Sequence, residues 1–458
     1  MLTCYAVQIE TPVAQPLYPN GTVAVPRTVL IPSAEILRSV SRDKLFRDSR
    51  NFSVFHLMGG QLPEERYNWG DRTSGLADLG EAHFDPNVNQ SAWGLEVPGD
   101  VIYNWGLKEG DEVILAVSKP HRLVFIASVN GQQDPMVCQK WPDFDGLQAD
   151  YPKCPLPVEK YGDPDLRVVT LLAPVGKGQG YFIAAPGGAG KSWLLAKFFR
   201  ELAKLTVEDE TLHVICGFVG DRPADFPVYE RIAQSSGTNR VELYQSNWAD
   251  DPKCQVSMAR FIAKRAHRLV TTGKNVVLLF DSISRAVTVH SSLSDRQGSI
   301  VPGGVYWESI FQMIPQLLGK YGYFNDRMSL TLIGTVLAGS DDIRTIERVV
   351  FQETANSIPS GICTLMSNPT LDRPRVSVNG ISTFTRYPLG SDFRTSSQAW
   401  EMAAVQELMW APFQVVDESG NPVLDKQEKP IIKPPWAELA HKRLIEYAEK
   451  HPVPAYFN

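Results

Sequence analysis

The segment Ala185-Pro186-Gly187-Gly188-Ala189-Gly190-Lys191-Ser192, preceded by the apolar run Tyr181-Phe182-Ile183-Ala184, constrains the architecture of this chain more than any other stretch. It reads as a buried strand, a glycine-rich loop and a helix start, the order that binds nucleotide phosphates. Glycines let successive backbone N–H groups turn toward an anion, and the helix presents its positive N-terminal end. Lys191 is placed to reach the β and γ phosphates of ATP, and the Ser192 hydroxyl to ligate Mg²⁺. Phosphate contacts are expected from Pro186, Gly187, Gly188, Ala189, Gly190, Lys191 and Ser192. The motif's opening glycine is Ala185 here, so the loop alone is also compatible with an ordinary glycine-rich turn.

A second block narrows the choice. Val276-Val277-Leu278-Leu279-Phe280-Asp281 is apolar without alternation, the pattern of a strand buried on both faces, and it ends in a carboxylate. Asp281 at such a strand end can hold Mg²⁺ opposite Ser192. Aspartate there is also common turn chemistry; the upstream loop favours the metal role.

The 458 residues, 43% hydrophobic, suffice for two or three cores. A formal net charge of −6 supplies no general attraction for nucleic acid, so RNA contacts would need a local patch. The six cysteines form no C-x-x-C pair, which points away from zinc and from a disulfide framework. No apolar run of membrane-spanning length occurs, and the N-terminus lacks an export pattern, so a cytoplasmic protein without membrane contact is expected.

Composition divides the chain into an N-terminal segment (1–71), a small β-barrel (72–130), an extended linker rich in Pro, Asp, Gly and Gln (131–165), an α/β domain with a parallel sheet (166–411) and a C-terminal extension with one helix (412–458). The barrel strands are expected at Gly75–Leu79, Val101–Tyr103, Glu112–Val117 and Arg122–Val129. In the α/β domain, strands are expected at 181–184, 213–219, 276–280 and 329–337. Helices are expected from 191, near 224–235, at 254–271 and around 304–320, with a last one after Pro435.

The blocks Arg167 to Gly180, Gly220-Asp221-Arg222-Pro223, Leu279-Phe280-Asp281-Ser282-Ile283-Ser284-Arg285, Pro302-Gly303-Gly304-Val305 and Ser329-Leu330-Thr331 occur in the order found in the transcription termination factor Rho family. With the phosphate loop they make the chain resemble a divergent member. The resemblance implies a RecA-like ATPase domain preceded by a barrel of the OB or cold-shock type. It further implies a hexameric ring with Mg-ATP between subunits, and single-stranded RNA moved through the centre by hydrolysis.

On that resemblance Asp221 stands where the family carries the glutamate that polarises the attacking water, one methylene shorter; capping of the next helix is the other role open to it. Arg222 and Arg394 are implied to meet the phosphates across the interface, with Lys191 completing the catalytic set. RNA contacts are implied for Phe84, Tyr103 and Phe125 on the barrel and for Arg296, Ser299 and Arg344 in the pore. The pore departs from the family: Ser299 and Asp341 stand where it has lysines, which lowers the count of cations available to phosphates. Two further functions stay open: a nucleotide-dependent assembly or scaffold protein that has lost RNA translocation, and a motor on another polymer. The terminal extensions are the expected contacts for a protein partner.

Overall fold

The computed structural model describes residues 2–14, 22–32, 80–83, 94–96, 103–118, 122–222, 224–293, 320–338, 361–366, 377–378, 383–385, 405, 411, 413–415, 422–424, 429–433 and 437–451. Strands β1 (Leu2–Ala14), β2 (Thr22–Pro32), β3 (Gly80–His83), β4 (Gly94–Glu96), β5 (Glu112–Ser118) and β6 (Arg122–Val129) form a closed barrel in the order β1-β2-β4-β3-β6-β5. Antiparallel pairing of β1 with β5, which sets Leu2 opposite Leu115 and Tyr5 opposite Glu112, closes the circle.

The expected barrel boundary at residue 72 is therefore corrected, since the β1–β2 hairpin belongs to the same barrel. The prolines that suggest a separate segment are accommodated because Pro12 lies beyond the stretch of β1 paired with β5, and Pro26 lies outside the stretch of β2 paired with β4. Among the described residues each strand is paired on one side only there, where a missing N–H costs least. A second correction concerns Tyr103, expected in a strand. It opens a helical turn over 103–105, consistent with the turn-forming Asn104 and Gly106 that follow.

Residues 131–165 are not an extended connector. Phe144 is buried and stacked on His267 with centroids 4.0 Å apart, Leu156 and Val158 are buried, and the buried Glu159 pairs with Arg167 at 3.1 Å. The prolines space these anchors along the surface of the α/β domain.

That domain comprises α1 (Pro164–Leu172), β7 (Gly180–Ala185), α2 (Lys191–Glu208), β8 (Leu212–Asp221), α3 (Phe226–Ser235), β9 (Val241–Asn247), α4 (Pro252–Thr271), β10 (Asn275–Asp281), α5 (Ile283–Leu293), β11 (Gly322–Asn325), β12 (Met328–Leu337), β13 (Gly361–Met366), β14 (Ser377–Val378) and β15 (Phe384–Thr385). The sheet order is β14-β13-β7-β12-β10-β8-β9, with every pair from β13 to β9 parallel. Strand alternation splits the core in two. Tyr181 and Ile183 face the cluster with Leu194, Phe198 and Leu166, while Phe182 and Ala184 face the one with Met258, Ile262 and Ile283. Helix α6 (Ala437–Lys450) packs on α1 and buries Leu444, so the C-terminal helix docks on its own chain.

Helix α4 also holds the barrel. Arg268 Nε bonds Asp111 Oδ1 at 2.5 Å and its guanidinium reaches the Gly106 carbonyl at 2.9 Å, while Arg265 Nη1 donates to the Gly110 carbonyl at 3.0 Å and to Asn130 Oδ1 at 2.6 Å. Gly110 has φ +93°, and a Cβ there would stand 2.5 Å from the Lys264 carbonyl oxygen. Gly110→Ala is expected to destabilise the protein by about 2 kcal/mol or more, through left-handed strain and the backbone clash. Denaturant unfolding together with limited proteolysis between residues 103 and 150 would read the loss; an unchanged midpoint would refute this account of the junction.

Candidate nucleotide-binding site

Strands β7, β10 and β8 end at the same edge of the sheet, which brings the loop after Ala185 together with Asp281 and Asp221. The carboxyl edge of a parallel sheet is where α/β domains take ligands. Gly188 and Gly190 have φ of +77° and +96°, values that turn the loop so that α2 starts directly at Lys191. Cβ atoms built on Gly187 or Gly188 would meet nothing within 4 Å, so this face of the loop is open to a ligand.

Lys191 Nζ donates to the carbonyls of Ala185 and Pro186, each at 3.1 Å, and burial holds its pKa below the usual lysine range. The ammonium is thus held over the loop at the cost of some charge stabilisation, which an incoming phosphate would restore. Ser192 Oγ lies 3.4 Å from Asp281 Oδ2, and the Thr335 hydroxyl from the next strand donates to Asp281 Oδ1 at 2.5 Å. Burial raises the Asp281 pKa, while the Thr335 hydrogen bond and the charges of Arg285 and Lys191 oppose it. Ser192 and Asp281, both expected at the metal, thus stand side by side. Two hard oxygen donors at one point fit Mg²⁺, which keeps water or phosphate in its other positions, and among the described residues no cluster of three or more His, Cys, Asp or Glu offers a full metal cage.

Asp221, at the end of β8, is 8% exposed, and its pKa is pushed up to about 6 by burial first and then by the negative charge of Asp281. Helix α3 begins at Phe226 with Asp225 as its N-cap, so Asp221 does not cap it. Arg285, in the first turn of α5, donates from Nη1 to Asp221 Oδ1 at 3.1 Å and to the Gly220 carbonyl. Sequence reasoning gives Arg285 no role. Its signal is positional: four residues after Asp281, one helical turn beyond the strand end, it is carried back over the same edge.

The remaining expected residues are less gathered. Arg222 follows Asp221 and is exposed, Tyr103 is 79% exposed beside the barrel, and Phe125 lies in β6 with its side chain outside the described set. Phe84, Arg296, Ser299, Arg344 and Arg394 lie outside the described residues.

Residues 165–365 match the ATP synthase alpha/beta family, nucleotide-binding domain. The chain is 27% identical over 288 residues to transcription termination factor Rho of Aquifex aeolicus, covering 61% of this chain and 63% of that protein. It is also 27% identical over 364 residues to transcription termination factor Rho 1 of Ehrlichia chaffeensis, covering 76% and 82%. The chain carries a divergent Rho-like nucleotide-binding domain. This Rho-like chain spans less than two thirds of the Aquifex protein's length. Among solved structures, an ATP synthase subunit from Nanoarcheaum equitans aligns at 14% identity with a TM-score of 0.48, over 70% of this chain and 77% of that one. Among the described residues of the Rho-like chain, no helix is long and apolar enough to cross a membrane.

Proposed function

We propose that this chain is a Rho-like, ring-forming ATPase that binds Mg-ATP between subunits and couples hydrolysis to binding or translocation of single-stranded RNA. The observation that carries the ATPase reading is the meeting of the phosphate loop, the Ser192–Asp281 pair and the Asp221–Arg285 pair at one sheet edge. Lys191 and the loop N–H groups bind the phosphates, and Ser192 and Asp281 would hold Mg²⁺, which when bound supplies charge neutralisation at the phosphates. Asp221, ionised above about pH 6, accepts a hydrogen bond from the attacking water and orients it. Arg285 fixes the rotamer of that carboxylate. Arg222 and Arg394 are assigned to the subunit interface, and a homohexamer is the assembly that gives them a neighbouring nucleotide.

RNA as the polymer is supported by the Rho relatives. The second reading, a nucleotide-dependent assembly protein, is favoured by the shorter carboxylate at 221 and by Ser299 and Asp341 where the family has lysines. Steady-state hydrolysis with and without cytidine-rich single-stranded RNA separates the two. The motor reading expects stimulation that fades between roughly 50 and 200 mM salt as counterion release weakens RNA binding. Nucleotide binding with slow turnover indifferent to RNA would sink it in favour of assembly.

A further inference from the structure

We propose that the cavity between the barrel and α4 binds a small molecule carrying one phosphate or carboxylate group, which Lys264 and His267 receive and which braces the barrel against the α/β domain. The cavity measures about 260 Å³. One wall is a face of α4, where Lys264, His267, Arg268 and Thr271 recur at helical spacing. The other walls are Lys108 and Glu109, just before β5, and the segment from Pro142 to Asp145. The volume lies near the ~300 Å³ at which small-molecule pockets begin, which suits a metabolite of a few carbons better than a whole nucleotide. None of these residues belongs to the phosphate loop, so the site stands independently of the nucleotide reading.

The ion pairs around the cavity leave two nitrogen groups for a ligand. Lys108 pairs with Asp143 at 3.3 Å, Glu109 with Arg260 at 3.1 Å, Asp145 with Lys320, and Arg268 with Asp111 at 2.5 Å. Among the described residues Lys264 has no ion-pair partner within 4 Å, and His267 makes no hydrogen bond. His267 is 6% exposed, with its ring stacked on Phe144 and lining the cavity. Burial first, and then the charge of Lys264, push its pKa down to about 3, with Asp145 opposing and Lys320 adding to the effect. The imidazole is therefore neutral at neutral pH and keeps an N–H to donate, and a buried donor without an acceptor is costly. An oxyanion set between the two residues takes a charge-assisted bond from Lys264 and a neutral one from His267. Glu109, Asp143 and Asp145 restrict the ligand to a single acidic group, because they repel a chain of phosphates, while their remaining lone pairs accept hydroxyls from the ligand's body. A molecule held there touches α4 and the loop before β5 at once, beside the Arg268–Asp111 pair that already joins them.

The full chain carrying isotope-labelled histidine, titrated with glycerol phosphate and with glycerate, tests this site. The two probes share a short hydroxylated body and differ in the acidic group. The His267 ring signal in the magnetic-resonance spectrum, assigned by its absence in His267→Phe, is expected to shift and saturate with one or both, at half-saturation below about 1 mM. Whichever probe acts names the head group. Lys264→Gln should weaken binding about tenfold, the scale of one charge-assisted hydrogen bond, while Lys442→Gln, exposed on α6, and Lys191→Ala should bind like the parent. A His267 signal unmoved by both probes, or an undiminished affinity in Lys264→Gln, would overturn the site. Binding lost in Lys191→Ala would assign the probe to the phosphate loop and overturn it as well. Calorimetry on the parent and Lys264→Gln makes the same comparison without the His267 variant. Saturating probe should also raise the thermal midpoint of the parent and leave that of Lys264→Gln nearly unchanged; an equal rise in both would refute the bracing role.

Discussion

Lys191→Ala is expected to lower ATP affinity by about 100-fold or more and to abolish turnover, because it removes the charge-assisted hydrogen bonds that a lysine gives two phosphates. The same ammonium is spent on the Ala185 and Pro186 carbonyls, which also accept from the Ala338 and Ala189 N–H groups and so keep a partner without it. The substitution should therefore cost little stability, and the barrel, anchored to the other end of α4, should be unaffected. Binding of a fluorescent ATP analogue, with thermal unfolding as the check on folding, measures both parts. Tight ATP binding in the variant would remove the phosphate loop from the site.

Asp221→Asn is expected to act in two directions at once. Hydrolysis should fall by roughly 10² to 10⁴-fold, the usual loss when a positioned base is removed, while ATP still binds. Stability of the nucleotide-free protein should rise at pH 8. The folded-state pKa of about 6 lies above the unfolded carboxylate value of 3.8, so the fold favours the protonated acid. The stability that protonation supplies is complete below about pH 4 and lost as pH rises through about 6, which leaves the ionised carboxylate costing roughly 3 kcal/mol at pH 8. Asparagine removes that cost but also the charge opposite Arg285, so a net gain on the order of 2 kcal/mol is expected at pH 8, shrinking toward zero near pH 4. Urea unfolding of parent and variant at both pH values decides it. A difference that does not change with pH would show that Asp221 is not a strained acid.

What could be read from the chain alone follows the range of the interactions. The loop and Asp281 are legible because each is a local pattern: glycines before Lys191-Ser192, and an unbroken apolar run ending in a carboxylate. Helix α4 is legible within two residues because its apolar positions repeat at helical spacing from Cys254 to Thr271. The β1–β2 hairpin is not, since what makes it part of the barrel is the pairing of Leu2 with Leu115, across more than a hundred residues. Residues 131–165 mislead for a related reason. Their prolines speak for extension, but three apolar side chains at positions 144, 156 and 158 find partners on a surface that only the fold creates. Arg285 is hidden among ordinary arginines until β8 and β10 become neighbours.

The barrel and the carboxyl edge of the sheet are fastened to opposite ends of one helix. At its start, Gln255 Nε2 donates to the Asp250 carbonyl at 2.9 Å and to the Trp248 carbonyl at 3.4 Å, and the Trp248 N–H donates to the Asp221 carbonyl at 3.1 Å. Toward its finish, Arg265 and Arg268 grip the barrel. The 20 residues between Pro252 and Thr271 make a strut about 30 Å long. Tilting the barrel must either carry this strut along or break the buried Arg268–Asp111 pair, at a cost of about 3 to 5 kcal/mol. A pull on the barrel is thus delivered to the end of β8, beside Asp221, the carboxylate proposed to orient water, instead of being absorbed by a hinge.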